Sequence, residues 1–143
     1  MHFYSVNWLA ILASAVAAMI VGFLWYSPIL FARPWMALMG YNPDDKAAME
    51  KMQKEAGPVY AQAFLCSLVS AIFLALVITR MMVPEENLLR GLKISFGIWL
   101  GFVATVQYTG VLFAKKPIKL FLIETGYQLV CYLIMGTIIT KWQ

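Results

Sequence analysis

Residues 7–31 read NWLAILASAVAAMIVGFLWYSPILF and contain no Asp, Glu, Lys or Arg. The charge-free interval extends from Met1 to Ala32, which exceeds the ~20 residues that an α-helix needs to cross the hydrocarbon core of a bilayer. A buried helix of a soluble protein would show a polar face over such a length. The stretch therefore predicts a membrane-spanning helix. Because no Lys or Arg precedes the apolar run, we expect this helix to be retained rather than cleaved as a signal peptide.

Three further intervals are almost free of charge. They are residues 56–79, residues 94–114 and residues 120–140, the last of which is interrupted only by Glu124. Each is long enough to cross a bilayer as a helix. We therefore predict an all-α fold, an integral membrane four-helix bundle that forms one transmembrane domain over residues 1–143. The predicted spans are about 5–27, 58–80, 90–113 and 118–140.

The composition supports the same class of protein. The chain has 143 residues, of which 62% are hydrophobic and 13% charged, and its mean hydropathy is +0.76. A soluble domain carries about 25% charged residues, so water would solvate this surface poorly. The net charge of +4 is small and scattered, which argues against a nucleic-acid partner. Cys66 and Cys131 lie inside predicted spans without metal-ligand spacing, so we expect no cofactor and no metal site.

The longest polar segment, residues 32–57, separates the first two predicted spans. Apolar and charged residues alternate at helical spacing over about residues 42–56, which predicts a short amphipathic helix in the first loop. Asn42 or Asp44 is expected to cap its first turn. This helix would either lie on the membrane surface or pack on the bundle as a solvated connector.

A weak internal repeat relates the ends of the first and third spans. Residues 26–33, YSPILFAR, correspond position by position to residues 108–115, YTGVLFAK. Each copy is soon followed by a proline, Pro34 or Pro117. The simplest interpretation is a duplicated helical hairpin whose two copies keep the same orientation in the membrane. Chance similarity between two membrane-interface sequences is the alternative.

The basic residues are divided unequally between the two sides of the predicted bundle. The side of the first and third loops carries Arg33, Lys46, Lys51, Lys54, Lys115, Lys116 and Lys119. The other side carries Arg80, Arg90, Lys93 and Lys141. Because cytoplasmic loops carry an excess of Lys and Arg, we expect a protein of the bacterial cytoplasmic membrane with both termini outside. The side chains expected to contact lipid headgroups stand beside the helix ends: Arg33, Lys115, Lys116 and Lys119.

Small residues recur at four-residue intervals in three of the spans. Residues four apart share one face of a helix, and close backbone approach drives helix association in lipid. Each stripe is therefore expected to form a helix–helix contact. The first span carries Ala10, Ser14, Ala18 and Gly22; the second carries Ala63, Ser67, Ala71, Ala75 and Thr79; the third carries Gly97, Gly101, Thr105 and Thr109.

Glu124 is the one carboxylate inside a predicted span. An ionised carboxylate in lipid is costly, so we expect it to face the bundle interior or a subunit contact, where it finds hydrogen-bond donors or takes up a proton. Antiparallel packing of the last two spans would place Gln107 at the same depth. The candidate intramembrane polar cluster comprises Glu124, Gln107, Gln128, Tyr108, Tyr127 and Gln62. Two interpretations stay open, a ligand or proton site and a purely structural hydrogen-bond network.

Two long segments also carry a family resemblance. They are residues 7–36, NWLAILASAVAAMIVGFLWYSPILFARPWM, and residues 99–136, WLGFVATVQYTGVLFAKKPIKLFLIETGYQLVCYLIMG. The most specific pieces are Asn7-Trp8, Gly22 through Pro28, Phe31, Pro34-Trp35 and Gly126-Tyr127-Gln128. Nearly the whole chain resembles the bacterial and fungal family called domain of unknown function 1761. The resemblance implies a small four-span membrane protein and offers no catalytic residues.

Three classes of function follow from these expectations. The favoured one is a non-enzymatic helix bundle that acts as a homo-oligomer or as an accessory subunit of a larger membrane complex. The alternative is a small transporter or channel whose path is lined by the polar cluster around Glu124. A membrane-embedded enzyme is disfavoured, because the sequence has no nucleophile–base pair, metal cluster or phosphate-binding glycine loop.

Overall fold

The computed structural model describes residues 6–81 and 88–142, so the predicted start of the first span at residue 5 lies outside the described residues. The helices are α1 (Trp8–Trp25), α2 (Ala32–Met39), α3 (Lys46–Met81), α4 (Leu88–Ile98), a π-helical segment (Trp99–Ala104), α5 (Thr105–Ala114) and α6 (Ile118–Lys141). The stretch from α4 through the π segment to α5 is one continuous helix, named here the third span. In the described residues α1, α3, the third span and α6 are long and apolar enough to cross a membrane. The predicted all-α bundle is confirmed.

The central helix of the bundle is α6. It packs against α1, α3, α4, the π segment and α5, and α1 packs in turn against α3. The third span contacts the rest of the bundle mainly through α6 and therefore lies at its edge. The core contains Ile11, Ala18, Ala71, Leu74, Ala75, Ile78, Cys131, Met135 and Ile139.

The small-residue stripe of α1 lies inside the bundle, as predicted. Ala10, Ser14 and Ala18 are buried, and the Ser14 hydroxyl donates to Ala10 O at 2.7 Å within its own helix. Gly22 lies beneath the ring of Tyr127: a Cβ atom there would lie 3.0 Å from the tyrosine hydroxyl. This contact confirms the prediction that small residues let the backbone of α1 come close to a neighbour.

The stripe of α3 is buried only in its second half. Ala71 and Ala75 are buried, Ser67 and Thr79 are half-buried, and Ala63 is exposed. The C-terminal half of α3 therefore packs closely on its neighbours, while the stripe near the first loop faces away from the protein.

The predicted helix contact of the third span is wrong in this chain, because the residues of its stripe are exposed: Gly97, Gly101, Thr105 and Thr109. The actual contact surface of α4 is a pair that the sequence analysis did not single out, Gly91 and Ser95. A Cβ atom on Gly91 would collide with Thr140 of α6, and one on Gly136 of α6 would collide with Ser95. Each glycine thus makes room for a hydroxyl side chain of the opposite helix.

The π segment explains how the third span keeps one side against α6. Before the segment, Gly91 and Ser95 are buried; its first residue, Trp99, is half-buried and its last residue, Ala104, is buried. After the segment, Gln107 is half-buried. The step from Trp99 to Ala104 spans five residues, one more than the four that repeat a face in an α-helix. The wider turn of the π segment accommodates this extra residue. The part of the third span before the segment and the part after it therefore both face α6.

The first loop differs from its prediction. The amphipathic segment predicted over about residues 42–56 is not a separate helix, because α3 continues from Lys46 to Met81 without a break and contains Pro58. Its cap is neither Asn42 nor Asp44: Ala48 N donates to Asp45 Oδ1 at 3.2 Å. The separate loop helix is α2. It ends at Met39 and is followed by Gly40 with φ of 81°, a left-handed conformation that glycine adopts without strain.

The two copies of the internal repeat adopt different backbones. Residues 26–31 form turns in which Leu30 N donates to Ser27 O and Phe31 N to Trp25 O, both at 3.0 Å. Residues 108–114 are helical. Pro28 stands in the first copy where the second has Gly110, and a proline lacks the N–H that continues a helix. Duplication of a hairpin stays a prediction from sequence that the local conformations do not reproduce.

Candidate functional site

Glu124 lies half-buried on α6, at the end of the bundle that faces the first and third loops. Its hydrogen-bond partner is Trp35 of α2, whose indole Nε1 donates to Glu124 Oε1 at 3.5 Å. This distance exceeds the 2.7–3.2 Å of a well-formed N–H···O bond, so the contact satisfies the carboxylate weakly. Within residues 6–81 and 88–142 no Lys or Arg forms an ion pair with Glu124.

An aromatic cluster of Tyr26, Trp35, Tyr41 and Tyr127 surrounds the Trp35–Glu124 contact. The ring of Tyr26 lies 5.7 Å from that of Trp35 and 5.5 Å from that of Tyr127, both in edge-on geometry. The Tyr41 ring lies 5.8 Å from Trp35. Edge-on and offset arrangements are the favoured contacts between aromatic rings. The cluster therefore holds α2 against the ends of α1 and α6, beside Glu124.

Two further hydrogen bonds fix α1 to α6 beside this cluster. Trp25 Nε1 donates to Ile123 O at 3.0 Å, and the Tyr127 hydroxyl donates to Ala18 O at 3.1 Å. Gly126 leaves room for the Trp25 ring, because a Cβ atom there would lie 3.3 Å from Trp25 Cζ2. A buried indole N–H or phenol hydroxyl needs a polar partner, and in both cases the partner is a backbone carbonyl.

The polar link between the third span and α6 passes through Thr125, a residue that sequence reasoning missed. Thr125 is 3% exposed, and its hydroxyl donates to Gln107 Oε1. Trp99 Nε1 of the π segment donates to Thr125 O at 3.1 Å. Gln107 therefore faces α6 at the expected depth, but its partner is Thr125 and not Glu124. No periodicity marks this pairing, because it depends on the extra residue of the π segment.

The remaining members of the predicted cluster lie apart from Glu124. Gln62 is exposed on α3, and Tyr108 is an exposed residue whose ring packs on Phe121 at 5.2 Å. Gln128 is half-buried. Tyr127 joins the aromatic cluster, and it contacts the site through Tyr26. The structure thus brings together Glu124, Trp35, Tyr26 and Tyr127, of which the sequence analysis placed Glu124 and Tyr127 in the cluster.

The basic residues expected at lipid headgroups are exposed at the same end of the bundle: Arg33, Lys115, Lys116 and Lys119. They would add positive potential around the half-buried carboxylate. No cluster of three His, Cys, Asp or Glu side chains close enough to hold a metal ion occurs in the described parts of the chain.

Four apolar spans, of which the central one, α6, packs against the other three, define a multi-pass integral membrane protein. The segments that carry the sequence resemblance meet at its aromatic end, where Gly22, Trp25 and Tyr26 of the first segment contact Gly126 and Tyr127 of the second. The family model described as "Protein of unknown function (DUF1761)" matches residues 9–140, and the chain belongs to this family. Comparison with curated proteins and with solved structures gives no match.

Proposed function

We propose that this chain is a non-enzymatic membrane protein that acts as a homo-oligomer, assembled through the third span. The observation that carries the proposal is the exposure of the glycine–threonine stripe, which consists of Gly97, Gly101, Thr105 and Thr109. The corresponding stripe of α1 is buried against α6, whereas this one has no neighbour within the described chain. In its most apolar window the third span is 11% buried, against 28% for each of the other spans.

The chemistry of the stripe suits a second copy of the same helix. Among the described residues, apart from the adjoining backbone of the same helix, no atom lies within 4 Å of a Cβ atom built on Gly97 or Gly101, so another backbone can approach both positions. The Thr105 hydroxyl donates to Gly101 O at 2.8 Å and the Thr109 hydroxyl to Thr105 O at 2.9 Å. These hydroxyls are satisfied within their own helix, so a partner can cover them at no cost in lost hydrogen bonds. A Gly-x-x-x-Gly pair in an apolar helix is a recurrent dimer contact.

The test is to block the stripe with a side chain. We expect Gly101→Leu to weaken self-association about tenfold or more, which corresponds to about 1.4 kcal/mol, because leucine keeps the two backbones apart. Gly110→Leu is the matched control, since Gly110 is also exposed with open space around its Cβ position but lies off the stripe. The measurement is subunit counting by single-molecule photobleaching in nanodiscs over a range of protein-to-lipid ratios.

Two results would contradict the homo-oligomer. One is a wild-type protein that stays monomeric at every ratio. The other is an equal effect of Gly101→Leu and Gly110→Leu. Purification from native membranes with a second protein at fixed stoichiometry, lost on Gly101→Leu alone, would favour the accessory-subunit role instead.

A second candidate function, transport of protons or cations, is favoured by the weakly satisfied carboxylate of Glu124. An ionisable group inside a membrane is expensive to keep and often marks an ion or proton path. The test compares proton flux in proteoliposomes for the wild type and for Glu124→Gln, which keeps the shape and removes the charge. Glu55→Gln makes the same change on the exposed start of α3 and serves as the control. Equal flux for all three proteins would exclude this role for Glu124.

We also propose the orientation with both termini outside the bacterial cytoplasmic membrane. The division of basic residues between the two ends of the bundle supports it. A variant with both native cysteines replaced by serine would carry one new cysteine, at Trp142 or at Lys116. We expect a membrane-impermeant maleimide to label Trp142→Cys in intact cells and Lys116→Cys only after lysis. The reverse pattern would invert the orientation.

A further inference from the structure

A groove opens at the end of the bundle opposite Glu124, between the last turn of α3 and the start of the third span. It measures about 410 Å³ and is lined by Met81, Arg90, Lys93, Ile94, Gly97, Ile98 and Phe102. We infer that this groove is a binding site for one anionic phospholipid, with an acyl chain along its apolar floor and the phosphate at Arg90 and Lys93. Gly97 belongs to both this groove and the glycine–threonine stripe, whereas Arg90, Lys93 and Phe102 belong to the groove alone, so a lipid can occupy the groove in the monomer.

The floor of the groove has the character of an acyl-chain site. Ile94, Ile98 and Phe102 supply apolar side chains, and Gly97 leaves a gap between them because nothing lies within 4 Å of its Cβ position. Phe102 follows Arg90 by twelve residues, so the groove runs about 18 Å along the helix. At hydrocarbon depth the bilayer supplies apolar chains and no water to fill such a gap.

Two basic side chains, Arg90 and Lys93, stand at the mouth of the groove. Arg90 Nη2 donates to Met81 O at 3.1 Å, which holds the guanidinium across the gap between α3 and α4. Lys93 follows one turn later and is exposed. Residues three apart lie on one face of a helix, so the two cations stand together at the end of the floor. Arg and Lys recognise phosphate, and basic pockets between transmembrane helices bind anionic lipid headgroups.

A single phospholipid matches both features at once. Its phosphate complements the two cations, and its chain continues from that point into the apolar part of the groove. A volume of this size is in the range of protein pockets that hold one small ligand. The exposed ammonium group of Lys93 favours a headgroup with net negative charge over a zwitterionic one.

The test is native mass spectrometry of protein released from nanodiscs that contain equal amounts of phosphatidylglycerol and phosphatidylcholine with the same acyl chains. Bound lipid is counted on the monomer signal, so the result does not depend on self-association. We expect one retained lipid per wild-type chain, with phosphatidylglycerol preferred. Lys93→Gln should lower retention about fivefold, the effect of one basic side chain at a membrane surface. Gly97→Leu should abolish retention by filling the floor with the charges intact.

Each variant has a matched control. Lys141→Gln removes one charge on the same side of the membrane but outside the groove. Gly101→Leu adds the same side chain at another open glycine of the third span that does not line the groove. We expect both controls to keep the wild-type lipid count. Equal retention of the two lipids by the wild type, or equal counts for the variants and their controls, would overturn the assignment.

Discussion

At the scale of single residues, the contact between α4 and α6 depends on two glycines, one on each helix. Gly91 of α4 makes room for Thr140 of α6, and Gly136 of α6 makes room for Ser95 of α4. The Ser95 hydroxyl donates to Gly91 O at 2.8 Å. The Thr140 hydroxyl, which lies against Gly91, is the one buried side-chain oxygen or nitrogen in the described residues without a hydrogen-bond partner.

This contact gives a prediction for Gly136→Ala. The new methyl group would meet the Ser95 Cβ at 2.9 Å as well as its hydroxyl. We expect a loss of about 1–3 kcal/mol in the free energy of unfolding, the usual cost of overpacking a core. The measurement is equilibrium unfolding in mixed detergent micelles.

Gly110→Ala is the control for this prediction. Gly110 is helical and nothing lies within 4 Å of its Cβ position, so the better helix propensity of alanine should leave stability equal or slightly higher. Equal destabilisation by the two substitutions would show that the Gly136–Ser95 contact does not limit helix approach.

The candidate site was predictable from sequence only in part, for reasons that are visible residue by residue. Glu124 stands out as a charge in an apolar run, and its position in the bundle follows from the cost of exposing it to lipid. Its actual partner, Trp35, comes from a loop whose path no periodicity describes. The Thr125–Gln107 hydrogen bond was missed because a threonine in a helix can bond either to its own backbone or to a neighbouring helix. The sequence does not show which of the two it does.

At the scale of secondary-structure elements, the third span departs most from the prediction. A regular four-residue spacing pointed to Gly97 and Gly101 as the contact face, but Gly91 and Ser95 face α6. The positions of the spans could be predicted because each span is a long interval with almost no charged residues. The face of a helix that meets a neighbour depends on rotation about its axis, and the π segment changes that rotation inside the span.

The π segment makes a prediction about deletions. Removal of Leu100, an exposed residue of the segment, would shorten the step from Trp99 to Ala104 from five residues to four, the repeat of an ordinary α-helix. We expect this variant to fold with the Thr125–Gln107 contact intact. Removal of Val106, an exposed residue of α5, would instead rotate Gln107 by about 100° away from α6.

Thermal unfolding in detergent compares the two deletions. We expect the Leu100 deletion to unfold near the wild-type temperature and the Val106 deletion to unfold well below it. A cysteine pair placed at Gln107 and Thr125 would report the contact directly through disulfide formation. A Leu100 deletion that unfolds as early as the Val106 deletion would mean that the π segment itself, and not only the register it sets, is required.

At the scale of the whole molecule, the two ends of the described chain are tied to each other. Asn7 Oδ1 accepts from Leu9 N at 3.0 Å and from Ala10 N at 3.2 Å, which caps α1. Its Nδ2 donates to Trp142 O at 2.6 Å, just beyond the end of α6. One amide side chain therefore begins the first span and holds the last one beside it.

Substitutions at Asn7 separate these two contributions. Asn7→Ser keeps a capping oxygen and loses the donor to Trp142 O, so we expect a loss of about 0.5–1.5 kcal/mol, the net value of one hydrogen bond. Asn7→Ala loses the cap as well and should cost about 1 kcal/mol more. Unfolding by denaturant in micelles measures both values. If serine and alanine gave the same loss, the cap would contribute nothing in this setting.

The unbroken α3 has a mechanical consequence. Its 36 residues extend about 54 Å, against a hydrocarbon core of about 30 Å, so its charged first turns stand clear of the acyl chains as a rigid arm. Pro58 has no backbone N–H to donate to Lys54 O, so α3 is weakest at this turn. A force applied at Lys46 would therefore bend the helix at Pro58 first, and Pro58→Ala, which restores the missing hydrogen bond, would transmit the same force into the bundle.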